Sequence, residues 1–170
     1  MIISQSHEEI QAAISLQAKC ELKRVGLRQC HASLEGMEAK STGPFSLRVS
    51  HNSVANAILD GVLRIEGRFQ VQGYDSASPP ALLFNIECAF DLDYEIQDES
   101  FEPSAASIAA FKDGNAIFNC WPYARELVNS LTSRMDLHVP ALPFLRMVPK
   151  APTPPATSEA EPGEASDPRG

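Results

Sequence analysis

The feature that most constrains this chain is a long alternation of apolar and mostly polar residues over positions 81–96. Apolar side chains take the even positions from Leu82 to Ile96, and polar side chains take most of the odd positions between them. Alternation with a period of two is typical of a β-strand with one buried face and one solvated face. The sequence therefore predicts a strand over 81–96, on the order of 50 Å long at about 3.3 Å per residue.

A second alternating run precedes this one and predicts another strand over 58–74. The residues between the two runs are polar and include two prolines, which is typical of a hairpin turn, so the two strands should pair antiparallel. Two further strands are predicted, over 19–34 and over 45–50. A phase slip near Arg24 in the earlier of these indicates a β-bulge.

Three segments carry helical signals. A Ser-x-x-Glu capping box predicts a helix over 7–18, and a proline at a first helical position followed by a closing glycine predicts a helix over 103–113. Apolar residues spaced by three and four positions predict a core helix over 115–135, which Pro122 should bend near its first turn. The apolar segment 139–145 is interrupted by prolines and should lie extended.

Together these elements predict an α+β fold in which a four-stranded antiparallel sheet has helices packed on one face. The folded domain is assigned to residues 1–149. Residues 150–170 contain five prolines and four acidic residues, and they lack any aliphatic residue larger than alanine. Because such a stretch cannot bury enough apolar surface to offset its ordering entropy, it is predicted to be a disordered acidic tail.

Composition narrows the class of function. A net charge of −8 and a pI near 4.9 disfavour nucleic acid as a partner, because an acidic protein repels phosphate groups. The sequence lacks a run of roughly 18 apolar residues that could span a membrane, and its first residues do not resemble a signal peptide. We therefore expect a cytoplasmic protein that does not insert into a membrane.

The cysteines and histidines do not form a recognisable site. No Cys-x-x-Cys pair, phosphate-binding loop, Gly-x-Ser-x-Gly or His-Glu-x-x-His is present in the sequence. We expect buried free thiols, with disulfides as the less favoured alternative. We expect surface or turn histidines, with a metal site or Cys–His pair assembled by the fold as the less favoured alternative. No catalytic residue and no cofactor are predicted. The residues concerned are Cys20, Cys30, Cys88, Cys120, His7, His31, His51 and His138.

An acidic row follows the wet side of the 81–96 strand and consists of Glu87, Asp91, Asp93 and Glu95. It is compatible with a solvated face, a docking surface for a basic partner, or a metal site. Alternate residues of a strand lie about 6.6 Å apart, which is too wide to surround one ion. The solvated face is therefore the favoured interpretation, and docking is the functional alternative.

The four predicted strands carry more apolar face than one long helix and a short one can cover. Uncovered apolar surface of that size marks self-association or the binding of another chain. We therefore expect a homo-oligomer.

The helix from position 121 onward carries a resemblance to a known family. Its opening, Trp-Pro-Tyr-Ala-Arg-Glu-Leu, resembles the start of the first long helix of the SecB-type protein-export chaperones, and the downstream Leu-Pro pair at 142–143 resembles that family's proline-rich segment. Strand residues 22–25 and 62–65 are similar to the family's first and third strands. The resemblance covers residues 20–148, and its most specific positions are Pro122, Tyr123, Ala124, Arg125 and Glu126.

The resemblance implies an ATP-independent holdase, assembled as a dimer of dimers, that binds non-native precursor proteins in hydrophobic grooves. It also implies delivery of these clients to the SecA translocase motor. The family's client-binding residues correspond to Phe45, Leu47 and Val49, with Leu142 and Phe144 in the proline-rich segment. The acidic row and the tail acids Glu159, Glu161, Glu164 and Asp167 are the groups that a basic segment of the motor, or equally of an antitoxin, would contact.

Three departures from the export members favour a second branch of the family. The first strand reads Arg28-Gln29-Cys30 where export members carry acidic groups, a second C-terminal helix is missing, and an N-terminal helix is added. The last two features resemble the SecB-like chaperones that protect an antitoxin in toxin–antitoxin systems. A small-ligand protein or enzyme on the same sheet is a further alternative, which a deep closed pocket with converging polar groups would indicate.

Overall fold

The structure is a computed structural model that describes residues 1–35, 46–137 and 139–150. Predictions made for Phe45, His138 and residues 151–170 lie outside these ranges. The described elements, in chain order, are β1 (Ile2–Gln5), α1 (His7–Gln17), β2 (Cys20–Leu34), β3 (Ser46–Ala55), β4 (Val62–Tyr74), β5 (Leu82–Ile96), α2 (Ala105–Phe111), a π-helical turn (Lys112–Ala116), α3 (Ile117–Arg134) and β6 (Arg146–Pro149).

The predicted four-stranded sheet is confirmed, with the strand order β2-β5-β4-β3 and antiparallel pairing throughout. The hairpin between β4 and β5 is closed by Asp75, whose Oδ1 accepts hydrogen bonds from the backbone N–H groups of Ala77 and Ala81. The predicted irregularity near Arg24 is present as a register shift. A second shift lies between Leu27 and Gln29.

Two strand boundaries differ from the prediction by more than one residue. Strand β3 continues past position 50 to Ala55, because its polar second half still pairs with β4, for example Asn52 with Arg68. Strand β4 begins at Val62 instead of position 58. The preceding residues Asp60 and Gly61 have positive φ angles of 51° and 72° and form the turn between the two strands.

The helices pack on one face of the sheet, as predicted, and this face carries the core. We call it the apolar face. Its contacts with the helices include the rings of Phe69 and Trp121, with centroids 5.6 Å apart, and those of Tyr94 and Phe111, 4.9 Å apart. The buried residues of β4 and β5 on this face are Leu63, Ile65, Phe69, Val71, Phe84, Ile86, Cys88, Phe90, Leu92 and Tyr94.

The capping box predicted for α1 is present. Ser6 Oγ accepts a hydrogen bond from Glu9 N, and Glu9 Oε2 accepts one from Ser6 N at 2.6 Å. The residues that α1 buries are Ala13 and Leu16. Ile14, which the sequence pattern places on the buried side, is about half exposed, because the buried stripe of this short helix is narrow.

Helices lie at both positions predicted over 103–113 and 115–135, but the predicted break between them at Gly114 is wrong. The chain passes from α2 through the π-helical turn into α3 without leaving helical geometry, and α2 starts at Ala105 with Ser104 as its N-cap. Gly114 lies inside the turn, where a Cβ would be 2.6 Å from Gln5 Oε1. Gln5 Nε2 donates to the carbonyl of Ala110 at 2.8 Å. The glycine therefore accommodates the buried Gln5 side chain and does not end a helix.

The extended segment after α3 is confirmed, but its partner was not predicted. Strand β6 pairs in parallel with β1, with Ile2 opposite Arg146 and Gln5 opposite Pro149. The N–H of Lys150 also donates to the Gln5 carbonyl at 2.6 Å. The first and last described segments of the chain thus form a small second sheet.

The four cysteines are free thiols, but their burial differs. Cys88 and Cys120 are buried as predicted, and Cys20 is half-buried. Cys30 is exposed, so its predicted burial is wrong. The reason is its position on β2, an edge strand whose described neighbour in the sheet is β5 alone. Within the described ranges, no helix is long and apolar enough to cross a membrane.

Candidate functional site

Two residues of the helix motif fasten the extended segment that follows α3. Trp121 Nε1 donates to the carbonyl of Pro143 at 3.0 Å, and Arg125 Nε donates to the carbonyl of Leu142 at 2.9 Å. The Arg125 guanidinium also lies 4.5 Å from the ring centroid of Phe144, which is a cation–π distance. Hydrogen bonds from Trp121 and Arg125 to backbone carbonyls therefore hold the extended segment in place. The ring of the following residue, Phe144, lies over Arg125.

The other motif residues divide between packing and solvent. Ala124 is 1% exposed, and its small side chain allows α3 to lie close to the sheet. Pro122, Tyr123 and Glu126 face outward, and Tyr123 is 50% exposed. Pro122 lies within α3, and the helix continues through it.

The residues predicted to bind clients differ in accessibility. Leu47 and Val49 lie on the apolar side of the edge strand β3 and are half-buried. Phe144 is 76% exposed. Leu142 is only 5% exposed, because its carbonyl is held by Arg125 and its side chain packs into the core, so in this conformation it offers almost no surface to a client. Phe45 lies outside the described residues.

Aromatic contacts connect β3 to the extended segment. The rings of His51 and Phe69 are 6.5 Å apart, the ring of Phe69 lies against Trp121, and Trp121 donates to Pro143. Burial lowers the pKa of His51, so its ring is neutral near pH 7 and suits this apolar setting. Of the predicted client-binding residues within the described ranges, Leu47, Val49 and Phe144 remain at least partly exposed, and we refer to these three below as the client surface.

The sequence predicted that part of the apolar sheet face would be uncovered, but it did not locate this exposed surface on the edge strand β2. Leu27 and Leu34 lie on its apolar side and are 52% and 49% exposed. Alternation with polar residues predicts that both leucines are buried, because this pattern does not distinguish an edge strand from a central one. The signal that could have found them is the position of β2 at the sheet edge, which depends on the long-range strand order.

The acidic row lies on the opposite side of the sheet, which we call the polar face. Asp93 accepts hydrogen bonds from Arg64 Nε at 2.6 Å and from Arg24 Nε at 2.7 Å, and its side chain is 14% exposed. The bond from Arg64 is the main cause that holds the pKa of Asp93 below its usual range. Asp91 accepts from Arg28 Nη1 at 3.2 Å.

The remaining acidic residues also have partners. Glu95 forms an ion pair with Lys23 at 3.1 Å, and hydrogen bonds from Gln97 and Lys23 lower its pKa. Glu87 Oε1 accepts from the amide groups of Asn85 and Gln70. Three of the four predicted docking carboxylates are therefore ion-paired by cations on neighbouring strands, and their docking role stays a prediction.

A surface depression of about 400 Å³ lies on the polar face around Ala89. Its polar lining includes Gln29, Asn52, Arg68 and Glu87. The described residues do not bring a nucleophile and a base together there. Ser50 lines this depression, whereas the side chain of the adjacent His51 stacks near Phe69 on the apolar face. Among the described residues, no three His, Cys, Asp or Glu side chains are grouped so that they could hold a metal ion.

Comparison with known proteins agrees with this architecture. No protein-family model and no curated protein match the chain. Among solved structures, it is similar to the Mycobacterium tuberculosis SecB-like chaperone Rv1957, determined in complex with a ChAD peptide from the Rv1956 HigA1 antitoxin. The TM-score is 0.70 at 17% sequence identity, and the match covers 79% of this chain and 96% of that chain.

A protein of unknown function from Streptococcus agalactiae also matches, with 14% identity over 74% of this chain and 98% of that chain. Its TM-score of 0.36 is too low to support an argument. The similarity to Rv1957 concerns the fold, and it agrees with the resemblance carried by residues 122–126. The chain therefore has the SecB-like fold.

Proposed function

We propose that this protein is a holdase chaperone that binds extended segments of non-native polypeptides on the client surface. The observation that carries the proposal is the way Phe144 is presented. Its neighbours Leu142 and Pro143 are hydrogen-bonded by α3, yet its own ring is 76% exposed over Arg125. A large aromatic side chain fixed in an exposed position is suited to contact another chain.

The remaining chemistry supports holding a client without changing it. Burial of apolar groups is non-directional, so the client surface can accept many sequences. The net charge of −8 helps a loaded complex to stay in solution. The sequence carries no phosphate-binding loop, which supports ATP-independent action.

For the client, we favour a dedicated antitoxin over precursor proteins bound for the SecA motor. The neighbour Rv1957 was determined with an antitoxin peptide, and the present chain shares its SecB-like fold. On the polar face, Asp91 and Asp93 are already paired with arginines. A basic motor segment would have to compete with these arginines, which weakens docking at that face. Export remains the second candidate because Glu87 has no cationic partner among the described residues and the sequence carries four further acidic residues within 151–170.

We further propose that the chain forms a homo-oligomer, with a dimer of dimers as the expected state. The apolar side of β2 supports this, since Leu27 and Leu34 are each about half exposed in the single chain. Symmetric association is the usual way to cover such a surface. Light scattering at micromolar concentration should report a mass well above 18.5 kDa, and a monomer would contradict the expectation.

The holdase proposal is tested by a Leu47→Ala, Val49→Ala, Phe144→Ala triple variant. We expect it to keep its fold and to suppress the aggregation of a chemically denatured reporter enzyme much less than the parent protein. Leu59→Ala is the matched control, because Leu59 is 73% exposed and lies in the turn between β3 and β4. If a folded triple variant suppresses aggregation of the reporter enzyme as well as the parent protein does, clients bind at another surface of the protein.

The identity of the client is tested by a pull-down from the native host at low salt. The intact chain is compared with a variant that ends at Pro149. Recovery of one small antitoxin supports the dedicated chaperone, and recovery of SecA with envelope precursors supports export. If the acidic tail contributes to binding, the amount of partner recovered with the intact chain should fall as the salt concentration rises.

A further inference from the structure

A groove of about 440 Å³ lies between β1 and α2. Residues 3–5 of β1 line one side, alanines of α2 line the other, and Glu9 and Asp113 complete the lining. The alanines are Ala106, Ala109 and Ala110. None of the lining residues belongs to the client surface or to β2, whose apolar side the proposed homo-oligomer covers. The groove is therefore a separate surface of the protein.

Strand β1 has a free edge on the side away from β6. The carbonyls of Met1 and Gln5 accept hydrogen bonds from N–H groups of segment 146–150. Because successive residues of a strand direct their backbone groups to alternate sides, the N–H and C=O groups of Ile2 and Ser4 point away from β6. The described part of the chain places no strand on that side. Such an edge is a template for pairing with another extended segment.

The other edge of this small sheet is protected. The N–H of Lys150 points to β1, so the preceding position faces outward, and Pro149 has no N–H to offer there. Strand β1 contains neither a proline nor a charged residue that would block pairing. A further strand is therefore expected beside β1 and not beside β6.

The Gln5 side chain lines the groove and carries an unused hydrogen-bond acceptor. Gln5 is 5% exposed, and its Nε2 donates to the carbonyl of Ala110. Its Oε1 is buried and accepts no hydrogen bond from the described residues. An unpaired buried acceptor destabilises a protein, so a donor is expected at this position. An occupant of the groove that carries N–H groups can supply one.

We propose that the groove binds an extended, basic segment of a partner polypeptide, which adds to β1 as a further strand and lies over the alanines of α2. The inference rests on the proposed function, since the segment belongs to a non-native client. Backbone hydrogen bonds to Ile2 and Ser4 hold such a segment with little dependence on its sequence. Strand addition at β1 is thus a second way to hold a client, beside the apolar contacts of the client surface.

The charge of the groove favours basic segments. Both charged residues in its lining, Glu9 and Asp113, are acidic. Asp113 forms an ion pair with Lys112, whereas Glu9 has no cationic partner among the described residues. Glu9 Oε2 accepts a hydrogen bond from the backbone N–H of Ser6, which leaves its negative charge in place. A lysine or arginine of the client can pair with this carboxylate.

The experiment titrates the full chain into a fluorescein-labelled peptide of about ten alternating lysine and valine residues and measures fluorescence anisotropy. We expect saturable binding that weakens about tenfold or more in an Ala106→Leu, Ala109→Leu variant, because the larger side chains fill the groove. Ala105→Leu is the matched control, because Ala105 is exposed on the same helix outside the lining, and it should leave the Kd unchanged. A peptide with glutamate in place of lysine should bind more weakly.

Backbone pairing is tested by N-methylation of alternate peptide residues, which removes the N–H donors of one edge and keeps every side chain. Two such peptides are compared, one methylated on the lysines and one on the valines. The peptide whose methyl groups face β1 should lose binding, and the other should keep it. Equal affinities of the two peptides would overturn strand addition. Unchanged peptide binding by a folded Ala106→Leu, Ala109→Leu variant would overturn the assignment of the groove.

A further outcome concerns a second copy of the chain as the occupant. If the Ala106→Leu, Ala109→Leu variant has a lower mass in light scattering than the parent protein, the groove is a contact between copies and the inference is overturned. We expect the two masses to be equal, because the groove lies apart from the exposed leucines of β2.

Failure of this inference is distinguishable from failure of the holdase proposal. The Leu47→Ala, Val49→Ala, Phe144→Ala variant should bind the peptide as the parent protein does, because its changes lie outside the groove. If the parent protein suppresses aggregation but does not bind the peptide, the groove inference alone fails. If the parent protein binds the peptide but does not suppress aggregation, the holdase proposal fails and the groove remains a site for basic extended segments.

Discussion

Adjacent residues of β4 show how differently the two faces of the sheet are built. Ile65 lies on the apolar face opposite Leu92 and is fully buried, whereas Arg64 lies on the polar face opposite Asp93 and keeps about half of its side chain exposed. Burial of an aliphatic side chain contributes about 1.5–3 kcal/mol, while an exposed ion pair typically contributes about 1 kcal/mol or less. The apolar face therefore carries most of the stability.

The polar face contributes less to stability, but its ion pairs determine which charged side chains remain unpaired and able to contact a partner. Asp93 is shared by two arginines, and Glu66 lies beside Arg28 and Arg68. A face that looks acidic along one strand is nearly balanced once the neighbouring strands are included. The comparison predicts large effects on unfolding from one face and small effects from the other.

The largest effect is expected from Ile65→Ala. Removing a fully buried side chain from the centre of the apolar face should lower the free energy of unfolding by about 2–5 kcal/mol. Arg64→Ala is the matched control one position away, and it should change that free energy much less. Urea titrations of both variants measure the difference, and similar losses would refute the contrast between the faces.

The next effect is expected from Gly73→Ala. A Cβ at this position would collide with the ring of Phe84, which lies over Gly73 from the opposite strand. The ring is fully buried and cannot move away freely, so we expect a loss of about 1–3 kcal/mol. Gly67→Ala is the control, because a Cβ there meets Cys120 at an ordinary 3.5 Å. An equal loss in both variants would show that packing against Phe84 is not the cause.

A smaller effect is expected from Asp93→Asn on the polar face. Because hydrogen bonds from Arg64 and Arg24 lower the pKa of folded Asp93, its ionised form stabilises the fold at pH values above its unfolded pKa of about 3.9. This contribution is lost as the pH falls through the folded pKa. We expect a loss of about 1 kcal/mol at pH 7 that becomes smaller as the pH falls below about 3.9. A difference between parent and variant that persists unchanged in acid would argue against the ion pair.

The smallest effect is expected from Glu95→Gln. The Glu95 side chain is about half exposed, and its pairing with Lys23 is screened by salt. We expect thermal melting to be nearly unchanged in this variant, at low salt as well as at high salt. A marked loss at low salt would show that the edge of the polar face is more tightly held than the exposure of Glu95 indicates.

Elements with a long, regular pattern could be predicted from the sequence. The alternation in β4 and β5 and the spacing along α3 each repeat over more than ten residues, so local chemistry determines them. The pairing of β1 with β6 could not be predicted, because each is four residues long and its partner lies at the other end of the described chain. The π-helical turn was missed since Gly114 is there for the Gln5 side chain, a contact distant in sequence.

The candidate site shows the same division. Residues 122–126 were assigned to one helix from their sequence, and the structure places them there. The burial of Leu142 and the exposure of Phe144 depend on which carbonyls α3 holds, and alternation does not determine this in a segment broken by prolines. Likewise, the ion pairs of Asp93 require the strand order, since Arg24 is 69 residues away in sequence.

The parallel pairing of β1 with β6 has a consequence for synthesis on the ribosome. The carbonyl of Met1 accepts a hydrogen bond from the N–H of Arg146, so β1 waits for a strand that is synthesised after the whole four-stranded sheet. Until then, the exposed Ile2 and the buried Ile3 lack the partner strand that pairs with them. The core sheet can form earlier, because β4 and β5 are neighbours in sequence. The nascent chain should therefore form its main sheet before β1 pairs with β6.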